Sequence, residues 1–198
     1  MITYTPRLLI AAANAHVGMS ERSARAVGRV VARRLGTEAS HNVPTLDVAL
    51  LLHWGHCSHY DIRAGRSSFP VLDTTTPDEL AAFGARKCLL RLEPLDGDIF
   101  LLFSPKVCTF VRAGLVVQVR GRGVFAPDAD FYDVTTIEGD SNERGELGGG
   151  RVLRVERRLS PAAGDRFLRW ADLDPRSEAL QIEGQAGIIP QRRERVAL

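Results

Sequence analysis

Apolar residues recur at helical spacing in the first third of the chain and at strand spacing in the rest. Leu8, Leu9, Ala12, Ala15 and His16 share one face of a first helix, which Gly18 ends. Ser20 caps a second helix running to about Leu35 and stopped by Gly36, with Ala24, Val27, Val30, Val31 and Leu35 at helical spacing. A third helix starts near Pro44 and Thr45. Its residues Leu46, Val48, Ala49, Leu50, Leu51 and Leu52 are apolar almost all round, which predicts the buried central helix. After a polar, turn-rich stretch from Arg63 to Pro77, the sequence TPDE at 76–79 opens a fourth helix with acids in its first turn.

From Cys88 onward the pattern changes to successive strands: CLLRLEP, DIFLLFS, TFVRAGLVVQV, YDVTTIEG and GRVLRVERRL. Turn residues separate them at Pro94–Gly97, Ser104–Pro105, Gly121–Gly123 and Gly148–Gly150. In GRVLRVERRL the apolar positions alternate with arginines, as in a half-solvated antiparallel strand. Helices followed by an antiparallel meander predict an α+β fold. One domain is expected over residues 1–173, with a polar C-terminal extension or tail over 174–198 that ends in the arginine-rich QRRERVAL.

Composition narrows the class without naming a function. The 198 residues are 44% hydrophobic and 25% charged, which suits one globular domain with a core of its own. A net charge of +2 does not mark a nucleic-acid protein. No apolar run reaches the length of a membrane span, and no export signal is evident, so a soluble protein is expected. Cys57, Cys88 and Cys108 imply no disulfide framework. Arg22, Arg25, Arg29 and Arg33 fall along one helical face, either a solvated surface or a phosphate-binding stripe.

One local cluster stands out. HWGHCSHYD brings His53, His56, Cys57, His59 and Asp61 together, and in a helix His53 and His56, and His56 and His59, share a face. Such nitrogen and sulfur groups are zinc ligands, although the run matches no established ligand signature. Its other readings are a polar helix end or a contact that titrates near neutrality.

Three segments together resemble the papain-like amidases, specifically the CHAP and NlpC-type peptidoglycan hydrolases. LDGDIFLLFS is similar to that family's Gly-Asp strand entry, FVRAGLVVQV to its His-bearing strand, and VTTIEGDSNERG with GRVLRVERRL to the two strands that follow. These segments span roughly residues 95–160. The resemblance implies a papain-like fold with N-terminal helices packed on an antiparallel sheet. It also implies a thiolate at the start of the central helix, an imidazole on the sheet and a polar group orienting the ring. Here the helix start carries Leu46, Asp47 and Val48, and the His position carries Arg112, which stays protonated and cannot act as a base. The third position retains Glu138 and Asp140. Asp47, Arg112, Glu138 and Asp140 are thus expected to form a vestigial site in which Arg112 pairs with an acid.

The leading expectation is a non-catalytic member of this group, a pseudoenzyme that binds a protein partner or cell-wall glycopeptide within a larger assembly. An alternative is an active cysteine amidase or endopeptidase with a displaced dyad of Cys57 and His53, His56 or His59. Cys57 is expected beyond the end of the central helix. A third reading is a metal- or nucleic-acid-binding accessory protein, with zinc on His53, His56, Cys57 and His59 or nucleic acid on the arginine face. No cofactor is otherwise expected, and nucleic acid is not the expected partner. The expected location is the cytoplasm or a phage-like or secretion particle.

Overall fold

The computed structural model describes residues 6–36, 44–58, 60–61, 66–67, 74–124, 130–141 and 149–170. Helices α1 (Pro6–Asn14), α2 (Glu21–Arg34) and α3 (Leu46–Ser58) come first. A short ladder of β1 (Tyr60–Asp61) and β2 (Arg66–Ser67) follows, and then α4 (Pro77–Arg86). The remaining strands are β3 (Leu90–Arg91), β4 (Ile99–Ser104), β5 (Thr109–Val124), β6 (Asp130–Ser141), β7 (Arg151–Leu159) and β8 (Arg166–Leu168). Strands β3 to β8 form one six-stranded antiparallel sheet in the order β3-β8-β4-β5-β6-β7. The protein is therefore α+β. The extension at 174–198 lies outside the described residues. Among the described residues, no helix is long and apolar enough to cross a membrane.

Local chemistry sets the helix ends. Ser20 Oγ accepts from Ser23 N, capping α2, and Gly36 leaves that helix at φ +69°. Thr76 and Glu79 form a reciprocal capping box at the start of α4. The Glu79 carboxylate also accepts from Thr75 N (2.6 Å) and Thr75 Oγ1 (2.7 Å). These bonds, led by the Thr75 hydroxyl, hold the Glu79 carboxyl below its ordinary range.

The sheet has a core on each side. Ala113, Leu115, Ile137 and Val152 face the helices and pack with Leu9, Val48, Leu51 and Trp54. The alternating positions Phe100, Val116, Tyr132, Val134 and Leu159 gather on the opposite face with Phe167. Strand β8, which has no counterpart in the expected meander, inserts between β3 and β4 and supplies Phe167 and Leu168. The segment CLLRLEP contributes only the two-residue β3, and the turn-rich middle supplies β2, which pairs with β1 just before it.

The Gly-Asp strand entry is built for architecture. Gly97 sits at φ +92°, and a Cβ there would lie 2.4 Å from Pro6 Cβ, so α1 closes directly onto this turn. Buried Asp98 accepts from Leu95 N (2.9 Å) and from Arg169 Nη2 (3.2 Å), closing the turn and pinning the chain after β8. Thr76→Ala removes one half of the α4 capping box, and a loss of about 1 kcal/mol in urea unfolding is expected.

Candidate functional site

Two polar clusters lie at opposite ends of α3, and the sequence marked both. The first is buried and charged. On β5, Ala113 and Leu115 point to the helices, so Arg112, between them and the end of the strand, points to the other face with Gly114 and Val116. Glu138 on β6 shares that face: a Cβ on Gly114 would lie 2.9 Å from Glu138 Cγ. Glu138 has no exposed surface and Arg112 retains 2%.

Arg112 Nε lies 3.2 Å from Glu138 Oε2, an electrostatic contact not aligned as a hydrogen bond, and Arg112 Nη2 donates to Gly139 O at 3.3 Å. From β7, Arg157 reaches the same carboxylate in a fork: Nε meets Oε1, and Nη2 donates to Oε2 at 2.6 Å. Thr136 Oγ1 donates to Oε1 at 2.6 Å. Asp47 approaches from the helix layer. Buried at the start of α3, it accepts from Ala113 N at 3.3 Å, one residue along from Arg112. A Cβ on Gly139 would lie 3.3 Å from Asp47 Cα, so the glycine lets the helix N-terminus approach β6 closely.

The structure thus brings Arg112 and Glu138 into contact and sets Asp47 against the adjoining strand. Asp140 lies in the β6 bulge between Glu138 and Ser141, and its side chain is outside the described residues. Arg157 was not among the residues marked from sequence. The arginines of β7 read there as a solvated row, whereas Arg157 is half-buried and completes the cluster. The available signal was the β6–β7 register, which opposes Val134 to Arg157 and places Arg157 on Glu138's face. Arg112, Glu138 and Arg157 form the ionic cluster on the sheet face away from the helices, and Asp47 meets β5 from the helix side; the expected positions carry no thiol or imidazole.

The second cluster corrects an expectation. Helix α3 runs through His53, His56 and Cys57 to Ser58, so Cys57 lies in its last turn and not beyond it. Continued burial explains the extra turns: Trp54 and Gly55 are both buried, and Ser58 Oγ bonds back to Gly55 O. This i,i+4 spacing places Cys57 Sγ 3.6 Å from His53 Nε2. The His16 ring meets the His53 ring edge-on, with centroids 5.2 Å apart.

Contact is present, but the electrostatics oppose a thiolate–imidazolium pair. Burial, reinforced by His16, Arg34 and His56, lowers the His53 pKa to about 4. Burial pushes the Cys57 thiol up, against a smaller opposite pull from Arg34. The C-terminal end of a helix also disfavours an anion. Among the described residues His53 Nδ1 is buried without a hydrogen-bond partner, so none of them orients the ring for proton transfer through that nitrogen. His56 is lowered as well, by burial and then by Arg34. Among the described residues no three His, Cys, Asp or Glu side chains converge as a metal-ligand set, and His59 is outside them. Cys88 and Cys108 are exposed turn residues at φ near +55°, remote in sequence from any histidine.

An open groove of about 590 Å³ runs along the distal part of β5–β7, away from the Cys57 cluster. Its charges are matched across strands: Arg120 contacts Glu156, and Arg158 binds Asp133 at 2.9 Å. No protein-family model matches the chain, and no curated protein or solved structure matches it significantly.

Two measurements follow from these geometries. Glu138→Gln leaves two guanidiniums facing a neutral amide in the interior, and a loss of about 3–5 kcal/mol in denaturant unfolding is expected. His53 stays neutral in the fold down to about pH 4 but protonates near its ordinary pKa when unfolded. The unfolded chain therefore binds the extra proton between about pH 6.5 and 4, and stability falls as pH drops through that window. His53→Phe should flatten this part of the stability–pH curve.

Proposed function

We propose that this chain is a papain-like amidase scaffold without its reacting groups, acting as a binding or structural component of a larger assembly. The observation that carries this reading is the buried Glu138 carboxylate clamped by Arg112 and Arg157, with Asp47 at the head of α3. In the family that the sequence resembles, the places of Asp47 and Arg112 hold a nucleophile and its base, and that of Glu138 holds the group that orients the base. A guanidinium cannot accept a proton at neutral pH, and a carboxylate fully engaged by two cations is a poor nucleophile. The α+β order, with helices packed on an antiparallel sheet, is consistent with such a scaffold. The partner fitting this reading is a protein or a cell-wall glycopeptide, held at the surface and not in a catalytic cleft. Incorporation into a phage-like or secretion particle fits the same reading.

The 3.6 Å contact of Cys57 with His53 favours a second reading, a displaced cysteine dyad that cleaves peptidoglycan amides. The neutral state of both partners weighs against it. Incubation with purified peptidoglycan, following release of amines and soluble fragments, separates the two. The first reading expects no release from either the native chain or Cys57→Ser, and iodoacetamide labelling of Cys57 at pH 7 no faster than that of a free cysteine. Release that Cys57→Ser abolishes overturns it.

A further inference from the structure

The near-neutral chain does not spread its charge evenly. The segment forming α1–α3 carries Arg7, Arg22, Arg25, Arg29, Arg33 and Arg34 against only Glu21, Glu38 and Asp47. Asp47 is buried in the cluster at the sheet, so it does not offset the surface. The remainder of the chain is slightly acidic. Folding therefore concentrates positive charge on the outside of the helical layer.

Helix α2 orders that charge. At about 100° per residue, Arg22, Arg25, Arg29 and Arg33 fall within an arc of about 80°. All four are exposed, while Ala24 and Val31 on the far side are buried. Arg25 pairs with Glu21 at 2.7 Å, the only acid on the helix. Arg22 and Arg29, about two turns apart, have no ion-pair partner among the described residues. The steps from Arg25 to Arg29 and from Arg29 to Arg33 each advance about 6 Å along the axis, a regular row of fork-shaped donors.

We propose that this face of α2 binds the phosphate backbone of double-stranded nucleic acid without reading its sequence. Its apolar content favours this occupant over a protein. On α2 only Ala26 and the exposed Val30 lie beside the arginines, with no aromatic, methionine or leucine anchor of the kind that supplies affinity at protein interfaces. Contact here would be almost wholly electrostatic, as in non-specific duplex binding. The helix also lacks an aromatic residue on which an unpaired base could stack, which favours a duplex over a single strand.

The test uses the full chain and a fluorescein-labelled duplex of about 20 base pairs and mixed sequence, read by anisotropy across a salt series. If the four arginines each neutralise a phosphate, log K should fall with log salt at a slope of about −3 to −4. Arg29→Gln should reduce the slope by about 1. The charge-reversing pair Arg22→Glu and Arg29→Glu should weaken binding at least tenfold at about 50 mM salt. Arg86→Glu, an exposed basic site on α4, should change neither quantity. Absence of binding at about 50 mM salt, or a slope unchanged by Arg29→Gln, overturns the proposal. Poly-glutamate binding at least tenfold more tightly than the duplex at the same salt and charge concentration also overturns it, and assigns the face to an acidic protein segment.

Discussion

A carboxylate with no exposed surface must recover its lost hydration from neighbouring charges, and Glu138 does so with two guanidiniums from two different strands. That requirement constrains the sheet more tightly than its apolar packing does. Arg112 lies on β5, Glu138 on β6 and Arg157 on β7. A slip of one residue in any of the three strands would turn a charged side chain to the other face and strand its partners in the interior. The bulge just past Glu138 and the close approach at Gly139 then let the start of α3 seat against the same strands. The ionic knot thus fixes the strand register, while Gly139 and the bond from Ala113 N to Asp47 seat the central helix on the same strands.

Where the start of α3 meets the sheet, Asp47 bonds the β5 backbone, and the ionic knot occupies the other face of the same strands. Its one carboxylate is held by two guanidiniums, and a guanidinium has no neutral-pH basicity. The thiol and imidazoles lie at the other end of α3, about 15 Å away along the axis from Asp47 to Cys57, so the two clusters cannot act as one site. At that end, desolvation lowers the His53 pKa and raises that of Cys57, which is exposed at the helix end, and both shifts oppose a thiolate nucleophile. What is left for interaction is the outside of the helical layer, where folding has gathered positive charge that the chain as a whole lacks.

Much of the fold was legible because its signals are local. Caps at Ser20 and Thr76, the stop at Gly36, the apolar run of α3 and the alternation of β4 to β7 depend on neighbours a few residues apart. The pairing of Arg112 with Glu138 was accessible through the order of the strands. The short strand β8 was not, because three residues carry too little periodicity to be distinguished from a turn. The last turn of α3 was obscured by its histidines, which read as a polar helix end, whereas burial of Trp54 and Gly55 carries the helix through them.

By itself, then, the amino-acid order determined the element types, their sequence, the α+β class and the absence of a thiol or imidazole where the resemblance expects them. Tertiary structure alone decided that Arg157, one of several alternating arginines, turns inward to a carboxylate nineteen positions earlier. It also decided that Cys57 touches His53 while its pKa is raised, whereas the arginine face of α2 was already legible in helical spacing. The reason is one of range: hydrogen-bonded turns and apolar periodicity are written within a few residues. Desolvation and ion pairing depend on which distant strands and helices come to lie side by side.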